Sequence, residues 1–329
     1  MDSNVSKNTN SHNFFKLRLD REKLDISVQD LLSRELLLSL TLYRQKFNVQ
    51  IEQSLVAIII KKKTVISDYK NSVRSSKNVG TSIFGRRKSL SIGYECPVGL
   101  SLATTLQQPP AIIVKRIGNL LTSKQQNNYE DLKFELSTEI LATGWINFYL
   151  NPQFTASWLN RLLCLSRTMA TSSQQLETTD SSLDRRQAGL FSLQYLHARC
   201  CSLLALGMRE NSIILDPVGD RLKYPESIAW LDKQQNLWLS EPAEYDLLRQ
   251  LLIVTDAWVG DNGDRQWTKL ALNLSKATTA FLADCRFLGE VKAQYPQMAI
   301  ARLGLIALVQ FWLKQILIEK FGIAAPKSM

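Results

Sequence analysis

The spacing of apolar residues predicts that the first half of the chain mixes helices with strands. A helix is expected to begin near Ser27, because Ser27 and Asp30 have the spacing of a capping pair and a leucine-rich apolar face follows them. Short runs of β-branched or aromatic residues predict strands at 55–60 and 145–150. Helical spacing predicts three more helices, at 97–106, 111–121 and 153–166. The predicted architecture of this half is therefore α+β, a small sheet with helices.

The second half shows helical spacing only. Helices are predicted at about 187–207, 224–231, 241–256, 266–288 and 296–320, and five helices with short connections predict an all-α bundle. The most apolar stretch, 298–318, is interrupted by Arg302 and Lys314. The 11 uncharged residues between these two are fewer than the ~20 needed to cross a bilayer. We therefore expect a buried helix and no membrane span.

Composition divides the chain into four segments. The segment 1–19 is rich in Asn and Ser and is predicted to be a disordered amino terminus. A first domain is predicted at 20–166, and it contains a basic insertion at 61–92 that lacks apolar periodicity. The Ser-, Thr- and Gln-rich stretch 167–186 is predicted to be a linker, which leaves the helical bundle at 187–329.

Positive charge is concentrated in one part of the chain. The formal net charge is +10, and residues 61–90 hold nine lysines and arginines against one acid, which supplies +8 of that total. Such an excess favours a polyanionic partner, either nucleic acid or an acidic membrane surface. The alternative is a solvated loop that binds nothing. The candidate phosphate contacts in this stretch are Lys61, Lys62, Lys63, Arg86, Arg87 and Lys88.

The residues that carry most enzyme chemistry form no recognisable pattern here. There is no G-x-x-x-x-G-K-[ST] loop and no G-x-G-x-x-G fingerprint. The two histidines, His12 and His197, are too far apart for a His-x-x-His metal pair, and no nucleophile-elbow pattern supports a Ser/His/Asp triad. The five cysteines form no C-x-x-C pair, which favours reduced, mostly buried thiols. We expect no cofactor, no metal and no catalytic residue, in a cytoplasmic protein.

Three motifs follow one another in the second half. The first is Q-Y-x-H-A-R-x-x-S, which includes Gln194, Tyr195, His197 and Arg199. The second is a helix ending in Cys-Arg-x-Leu around Arg286, and the third joins A-R-L-x-L-x-x-A to G-x-x-A-P-x-x-M within 301–329. In this order they resemble the DALR-type anticodon-binding domain of arginyl-tRNA synthetases.

Two motifs in the first half resemble the additional amino-terminal domain of the same enzymes. GYECPVGLSLA at 93–103 is similar to D-Y-A-T-N-I-A-L-x-L-A, and Tyr94 falls on the tyrosine of that pattern. ATGWINFYLNPQF at 142–154 is similar to G-P-G-F-I-N-F-x-L-S-P-x-F, and Asn147 falls on its asparagine. Gly93 departs from the pattern, because the family has Asp there.

The resemblance implies a relative of arginyl-tRNA synthetase without the catalytic Rossmann domain. The family places that domain, with its H-I-G-H and K-M-S-K-type signatures for ATP, where this chain has only the predicted linker 167–186. The resemblance therefore implies tRNA as the partner, with tRNA-Arg as the first candidate. It also implies that arginine–tRNA ligase activity requires a separate catalytic chain.

The resemblance assigns RNA contact to several residues, and each has a structural alternative. Tyr195 and Arg199 are four residues apart, so a ring and a guanidinium share one helix face on which unstacked bases can bind. Alternatively, Tyr195 packs and Arg199 meets a carboxylate. His197 can be a satisfied structural histidine, Gln194 can cap a carbonyl, and Arg286 can form a surface salt bridge instead of meeting phosphate. In the first domain the implied RNA contacts are Tyr94 and Asn147.

Two other functions stay open at this point. Grooves of a helical bundle can bind a partner helix, so the chain can be a protein-interaction or scaffold subunit that reuses the fold. It can also be the accessory part of a split arginine–tRNA ligase. RNA binding that depends on ionic strength distinguishes the tRNA-binding function from the scaffold function. Restoration of arginine charging on mixing with a separate catalytic chain distinguishes the split ligase.

Overall fold

The structure is a computed structural model that describes residues 26–51, 64–67, 92–124, 136–169, 184–217, 221–260 and 266–329. The predicted disordered segment 1–19 and the predicted strand 55–60 lie outside these ranges. So do six candidate phosphate contacts, Lys61, Lys62, Lys63, Arg86, Arg87 and Lys88. Most of the predicted linker 167–186 also lies outside them, and the domain boundary stays a prediction.

The amino-terminal part combines a four-stranded sheet with helices. Its described elements are α1 Val28–Phe47, β1 Thr64–Ser67, β2 Ile92–Cys96, α2 Val98–Leu106, α3 Pro110–Lys124, β3 Leu136–Ile140, β4 Ile146–Leu150 and α4 Pro152–Thr168. Neighbouring strands are antiparallel, and the order across the sheet is β1, β2, β4, β3. The predicted α+β architecture of this part is confirmed.

Side-chain caps define the starts of two of these helices. Ser27 Oγ accepts a hydrogen bond from the backbone N of Asp30 at 3.1 Å, so the predicted start of α1 is confirmed. Asn151 Oδ1 accepts from the backbone N of Phe154 at 2.6 Å, and Pro152 stands at the start of α4. The fixed φ of proline suits that position. Each cap satisfies an N–H group that the first helical turn leaves without an intrahelical partner.

The carboxy-terminal part is a helical bundle with one short hairpin. Its described elements are α5 Asp184–Arg209, β5 Ile214–Leu215, β6 Leu222–Tyr224, α6 Pro242–Val259, α7 Trp267–Asp284, α8 Glu290–Gln294, α9 Pro296–Gln315 and a π turn at Ile316–Lys320. Four of the five predicted helices are present, which confirms the predicted bundle. The helix predicted at 266–288 ends four residues early as α7, and the one predicted at 296–320 divides into α9 and the π turn.

The helix predicted at 224–231 is wrong. Strand β6 ends at Tyr224, and Leu231 pairs with Leu237 in an isolated β-bridge. Ile228 and Trp230 are buried while residue 229 is exposed, so burial follows the period of two of an extended chain. The apolar residues of this segment therefore reach the core without forming a helix.

Three strands of the sheet were not predicted. Strand β1 lies within the stretch 61–92 that we expected to be a loop, and β2 and β3 lie where no strand was expected. All three are only four or five residues long. Runs of that length give little periodic signal, and pairing with neighbouring strands decides their conformation.

The buried residues of the two parts form one continuous core. Helix α6 packs against α1 and β1, and α9 packs against α4. The helical segment Pro296–Lys320 is long and apolar enough to cross a membrane, but 89% of its most apolar window is buried inside the protein. This helix is therefore part of the core, as its interruption by charged residues predicted.

Polar contacts also join the two parts. Asp256 Oδ1, on α6, accepts hydrogen bonds from Ser27 Oγ at 2.9 Å and from the backbone N of Gln29 at 3.1 Å. On α4, Asn160 Oδ1 accepts from the backbone N of Ile228 at 3.0 Å, while its Nδ2 donates to the carbonyl of the same residue at 3.3 Å. The start of α1 and the extended segment around Ile228 are thus held by side chains from the other part.

Candidate RNA-binding surface

Three exposed side chains form a stripe along α5. Phe191, Tyr195 and Arg199 are successively four residues apart, so they project from one side of the helix. Phe191 is 58% exposed and Tyr195 is 52% exposed, and Arg199 is also exposed. Among the described residues Arg199 has no carboxylate partner, and Tyr195 is not packed in the core. We call these three residues the α5 stripe, and it presents two aromatic rings and one guanidinium to solvent.

The carboxy-terminal segment, residues 322–329, lies against α5 next to the α5 stripe. Gln194 Nε2 donates a hydrogen bond to the carbonyl oxygen of Ala324 at 2.8 Å. His197 Nδ1 forms a hydrogen bond with the carbonyl oxygen of Pro326, also at 2.8 Å. Met329, at the end of the segment, is 60% exposed. Gln194 and His197 therefore hold this segment through its backbone.

His197 itself is buried, with 1% of its surface exposed. Because a carbonyl oxygen only accepts, Nδ1 carries the proton in its bond to Pro326. Nε2 then accepts from Gln310 Nε2 on α9, 3.1 Å away. The neutral tautomer thus satisfies both ring nitrogens. In this arrangement the ring is not accessible to a base, and its observed contacts are those of a structural histidine.

Arg286 is exposed and lies toward the other end of α5 from the α5 stripe. Its carbonyl oxygen accepts a hydrogen bond from Arg302 Nη1 on α9. Helices α5 and α9 run antiparallel, since a Cβ at Gly207 would lie 2.8 Å from Leu303 while His197 contacts Gln310. Arg286 is therefore near the carboxyl end of α5, about 12 Å along the helix axis from Arg199 at 1.5 Å per residue.

Tyr94 is a core residue at the junction of the two parts. It is 1% exposed, and its hydroxyl donates a hydrogen bond to Asp256 Oδ2 at 2.5 Å. It is paired with Phe148 in the neighbouring strand, and both side chains lie on the buried face of the sheet. Burial, and secondly the Asp256 carboxylate, raise the pKa of Tyr94 well above its ordinary value. Its ring cannot stack on a base in this fold, contrary to the expectation.

Asn147 lies on the opposite face of the sheet, between two carboxylates. Its register partners on the flanking strands are Glu95 and Glu139. Asn147 Nδ2 donates to Glu139 Oε2 at 3.1 Å and to Tyr149 Oη at 3.3 Å, and its Oδ1 is buried without a hydrogen-bond partner. Asn147 is 9% exposed. The two carboxylates repel phosphate groups. RNA could therefore contact Asn147 only through a base that points away from the phosphate backbone of the RNA.

Burial keeps two of the cysteine thiols from acting as activated nucleophiles. Cys96, Cys200, Cys201 and Cys285 are buried, and only Cys164 is exposed. Burial raises the pKa of Cys200 far above its ordinary value, and burial with a smaller contribution from Glu244 raises the pKa of Cys285 to about 12. Both thiols are protonated at neutral pH. The predicted burial is confirmed for four of the five cysteines, and none of the five is in a disulfide.

Sequence reasoning missed Phe191. The motif that points to α5 begins at Gln194, three residues later, and Phe191 resembles an ordinary apolar residue of the helix. A signal was present in the spacing, because position 191 lies one helical turn before Tyr195 on the same side. The polar residue Arg199, one turn beyond Tyr195 on that side, indicated exposure.

Part of this chain is similar to known proteins, and the similar region includes most of the surface described above. Residues 193–329 match the DALR anticodon binding domain. The arginine–tRNA ligase of Gloeobacter violaceus is 31% identical over 167 residues, which cover 48% of this chain and 26% of that enzyme. The arginine–tRNA ligases of a Synechococcus species and of Moorella thermoacetica are 30% and 28% identical over 42% and 46% of this chain. No solved structure matches the chain.

The chain aligns with about a quarter of the length of these curated relatives. The family match covers α5 from Leu193 onward, the bundle and the carboxy-terminal segment, which are the elements that form the surface described above. Residues 193–329 therefore match the DALR anticodon binding domain, in a chain that is similar to arginine–tRNA ligases over about half its length.

Proposed function

We propose that this chain is a tRNA-binding protein that does not aminoacylate, and that the α5 stripe with the carboxy-terminal segment is its RNA-contact surface. The observation that carries the proposal is the exposure of Phe191, Tyr195 and Arg199 at the start of a DALR domain. Exposed aromatic rings next to a guanidinium suit single-stranded RNA, because unpaired bases can stack on the rings and on the guanidinium plane.

The mechanism combines stacking with charge. Bases of an anticodon loop are unstacked at its tip, so they can lie on the rings of Phe191 and Tyr195. Arg199 pairs with a phosphate or with a base edge. Gln194 and His197 act indirectly, because they hold the segment that borders the rings. The basic stretch 61–90 adds salt-sensitive affinity that does not depend on sequence.

The finer parts of the proposal rest on the relatives. They are named arginine–tRNA ligases, which makes tRNA-Arg the first RNA to test. Neither the sequence motifs of ATP binding nor a Rossmann domain is recognisable in this chain, which supports a non-catalytic role. A cytoplasmic location follows from a tRNA partner and from reduced thiols.

Binding of the full chain to tRNA-Arg and to total tRNA, measured across a salt series, tests the proposal. We expect Arg199→Ala and Tyr195→Ala each to weaken binding about ten-fold at moderate salt, because one base stack or one charged contact is worth ~1–3 kcal/mol. Arg209→Ala is the matched control, since Arg209 is exposed at the far end of the same helix.

Four results would contradict this function. Equal losses in Arg199→Ala and Arg209→Ala mean that binding is nonspecific attraction to positive charge. No binding at low salt removes RNA as the partner and leaves the protein-interaction function. ATP–pyrophosphate exchange by the chain alone contradicts the non-catalytic proposal, and restored arginine charging on mixing with a separate catalytic chain supports the split ligase instead.

A further inference from the structure

A lysine lies against two tryptophan rings where the last helix ends. Lys320 Nζ is 4.8 Å from the ring centroid of Trp258 and 5.0 Å from that of Trp267. Both distances are within the ~6 Å range of cation–π attraction. The two indoles meet edge to face with their centroids 5.5 Å apart, and Trp312 packs on Trp258 at 5.4 Å. The rings are therefore fixed by packing and present an ordered site to the ammonium group.

The π turn determines the direction in which Lys320 points. Phe321 N donates to the Ile316 carbonyl at 3.2 Å and Ile323 N donates to the Leu317 carbonyl at 2.9 Å. In an α-helix that ends at a glycine, the corresponding amides would donate to the carbonyls of residues 317 and 318. Each observed hydrogen bond therefore spans one residue more, as in a π-helix. One extra residue rotates the rest of the chain by about 100° relative to a regular helix. Gly322, with φ +65°, then reverses the chain toward α5.

The carboxy-terminal segment is consequently held at two places. Two residues before the segment, Lys320 contacts Trp258 on α6 and Trp267 on α7. Four residues later, the carbonyl of Ala324 is bound by Gln194, followed by the bond between Pro326 and His197. Only three residues separate Lys320 from Ala324. Movement of Lys320 therefore displaces the backbone to which Gln194 and His197 are bonded.

We propose that Lys320 is a positioning residue for RNA binding, which acts by fixing the start of the carboxy-terminal segment and thereby orders the border of the α5 stripe. It acts through segment 322–329 and does not touch RNA. If segment 322–329 is already ordered in the free protein, less conformational entropy is lost when RNA binds. The RNA part of this inference rests on the proposed function, whereas the structural part does not.

The test compares three full-length variants. Lys320→Gln removes the cation, Lys320→Arg keeps it, because guanidinium groups also bind indole faces, and Lys233→Gln removes one charge from an exposed turn elsewhere. We measure hydrogen exchange at the amides of Gly322 and Ile323, and tRNA affinity at constant ionic strength. In Lys320→Gln we expect about five-fold faster exchange and about five-fold weaker binding, in proportion to the lost cation–π contacts. Lys320→Arg retains both properties.

Unchanged amide exchange in Lys320→Gln overturns the inference, and so does failure of Lys320→Arg to retain slow exchange. If Lys233→Gln weakens tRNA binding as much as Lys320→Gln does, the effect is one of net charge and the positioning role is refuted. If the wild-type chain binds no tRNA, the proposed function fails, while the exchange measurement still decides whether Lys320 fixes the segment.

Discussion

Asp256 connects the two parts of the protein through its side chain. Its carboxylate accepts hydrogen bonds from Ser27, from the backbone of Gln29 and from Tyr94, all in the amino-terminal part. It is 7% exposed, so these donors replace water. A buried carboxylate is tolerated only when such donors are present.

Replacing Tyr94 with Phe should therefore destabilise the fold. Loss of one donor to a buried carboxylate is expected to lower the free energy of unfolding by about 1–3 kcal/mol in urea denaturation at pH 8. Tyr149→Phe is the control, since its hydroxyl bonds the exposed Glu139 and should matter less. Equal stability of Tyr94→Phe and wild type would contradict the role assigned to this hydroxyl.

The same residue predicts a pH dependence. The folded-state pKa of Tyr94 is raised, so its contribution is fully present below the ordinary tyrosine pKa of about 10 and is lost as pH rises toward the folded-state value. The stability difference between wild type and Tyr94→Phe should thus shrink as the pH rises above about 10. A difference that stays constant over this range would refute the raised pKa.

Arg302 and Glu244 form a buried ion pair between α9 and α6. Arg302 Nε lies 2.7 Å from Glu244 Oε1, and the side chains are 7% and 0% exposed. Arg302→Met leaves the carboxylate buried without its partner, so we expect a loss of about 3–5 kcal/mol of unfolding free energy.

The partly exposed pair of Arg249 and Asp246, which lies on α6 alone, supplies the control for that variant. Arg249→Met should cost less than about 1 kcal/mol. If Arg302→Met costs no more than Arg249→Met, the buried pair does not stabilise the packing of α9. The double variant Arg302→Met with Glu244→Gln should recover part of the loss, because no charge then remains buried.

At the scale of elements, the segment 221–231 shows where sequence reasoning failed and why. Long helices with a clear apolar face were predicted within a few residues, α4 and α6 among them. The segment around Trp230 is instead shaped by α4, whose Asn160 bonds the backbone of Ile228 and the indole Nε1 of Trp230. Those contacts join residues about 70 positions apart, and local periodicity contains no information about them.

Asn160→Leu should release this segment from α4. Burying the Ile228 amide and the Trp230 indole N–H without partners is expected to cost about 2–4 kcal/mol of unfolding free energy. Gln153→Ala is the control on the same helix, because its bond to the Gln235 carbonyl is long, at 3.4 Å, and exposed. Equal effects of the two substitutions in urea denaturation would show that Asn160 does not hold the segment.

At the scale of the molecule, one core extends through both parts. Composition and motifs predicted two domains joined by a linker. These two kinds of sequence evidence do not show how closely the two parts pack. The same limit applied to the candidate site. Spacing correctly placed Tyr195 and Arg199 on one face, but the burial of Tyr94 and His197 depends on the register of β2 with β4 and on α9, which only tertiary structure reveals.

The continuous core predicts cooperative unfolding. Urea transitions followed by tryptophan fluorescence and by helical circular dichroism should coincide at one midpoint. Five of the seven tryptophans lie in the carboxy-terminal part, so fluorescence reports mainly on the bundle. Two separate midpoints would mean that the parts unfold independently, in contradiction to a shared core.

The most direct test of the central claim is nuclease footprinting of tRNA-Arg bound to the full chain. The proposed α5 surface predicts protection of the anticodon-loop nucleotides, and Arg199→Ala should reduce that protection while Arg209→Ala leaves it intact. Protection spread evenly over the tRNA and abolished by moderate salt, or an anticodon loop cleaved as in free tRNA, would contradict the claim that this chain binds tRNA through its anticodon-binding domain.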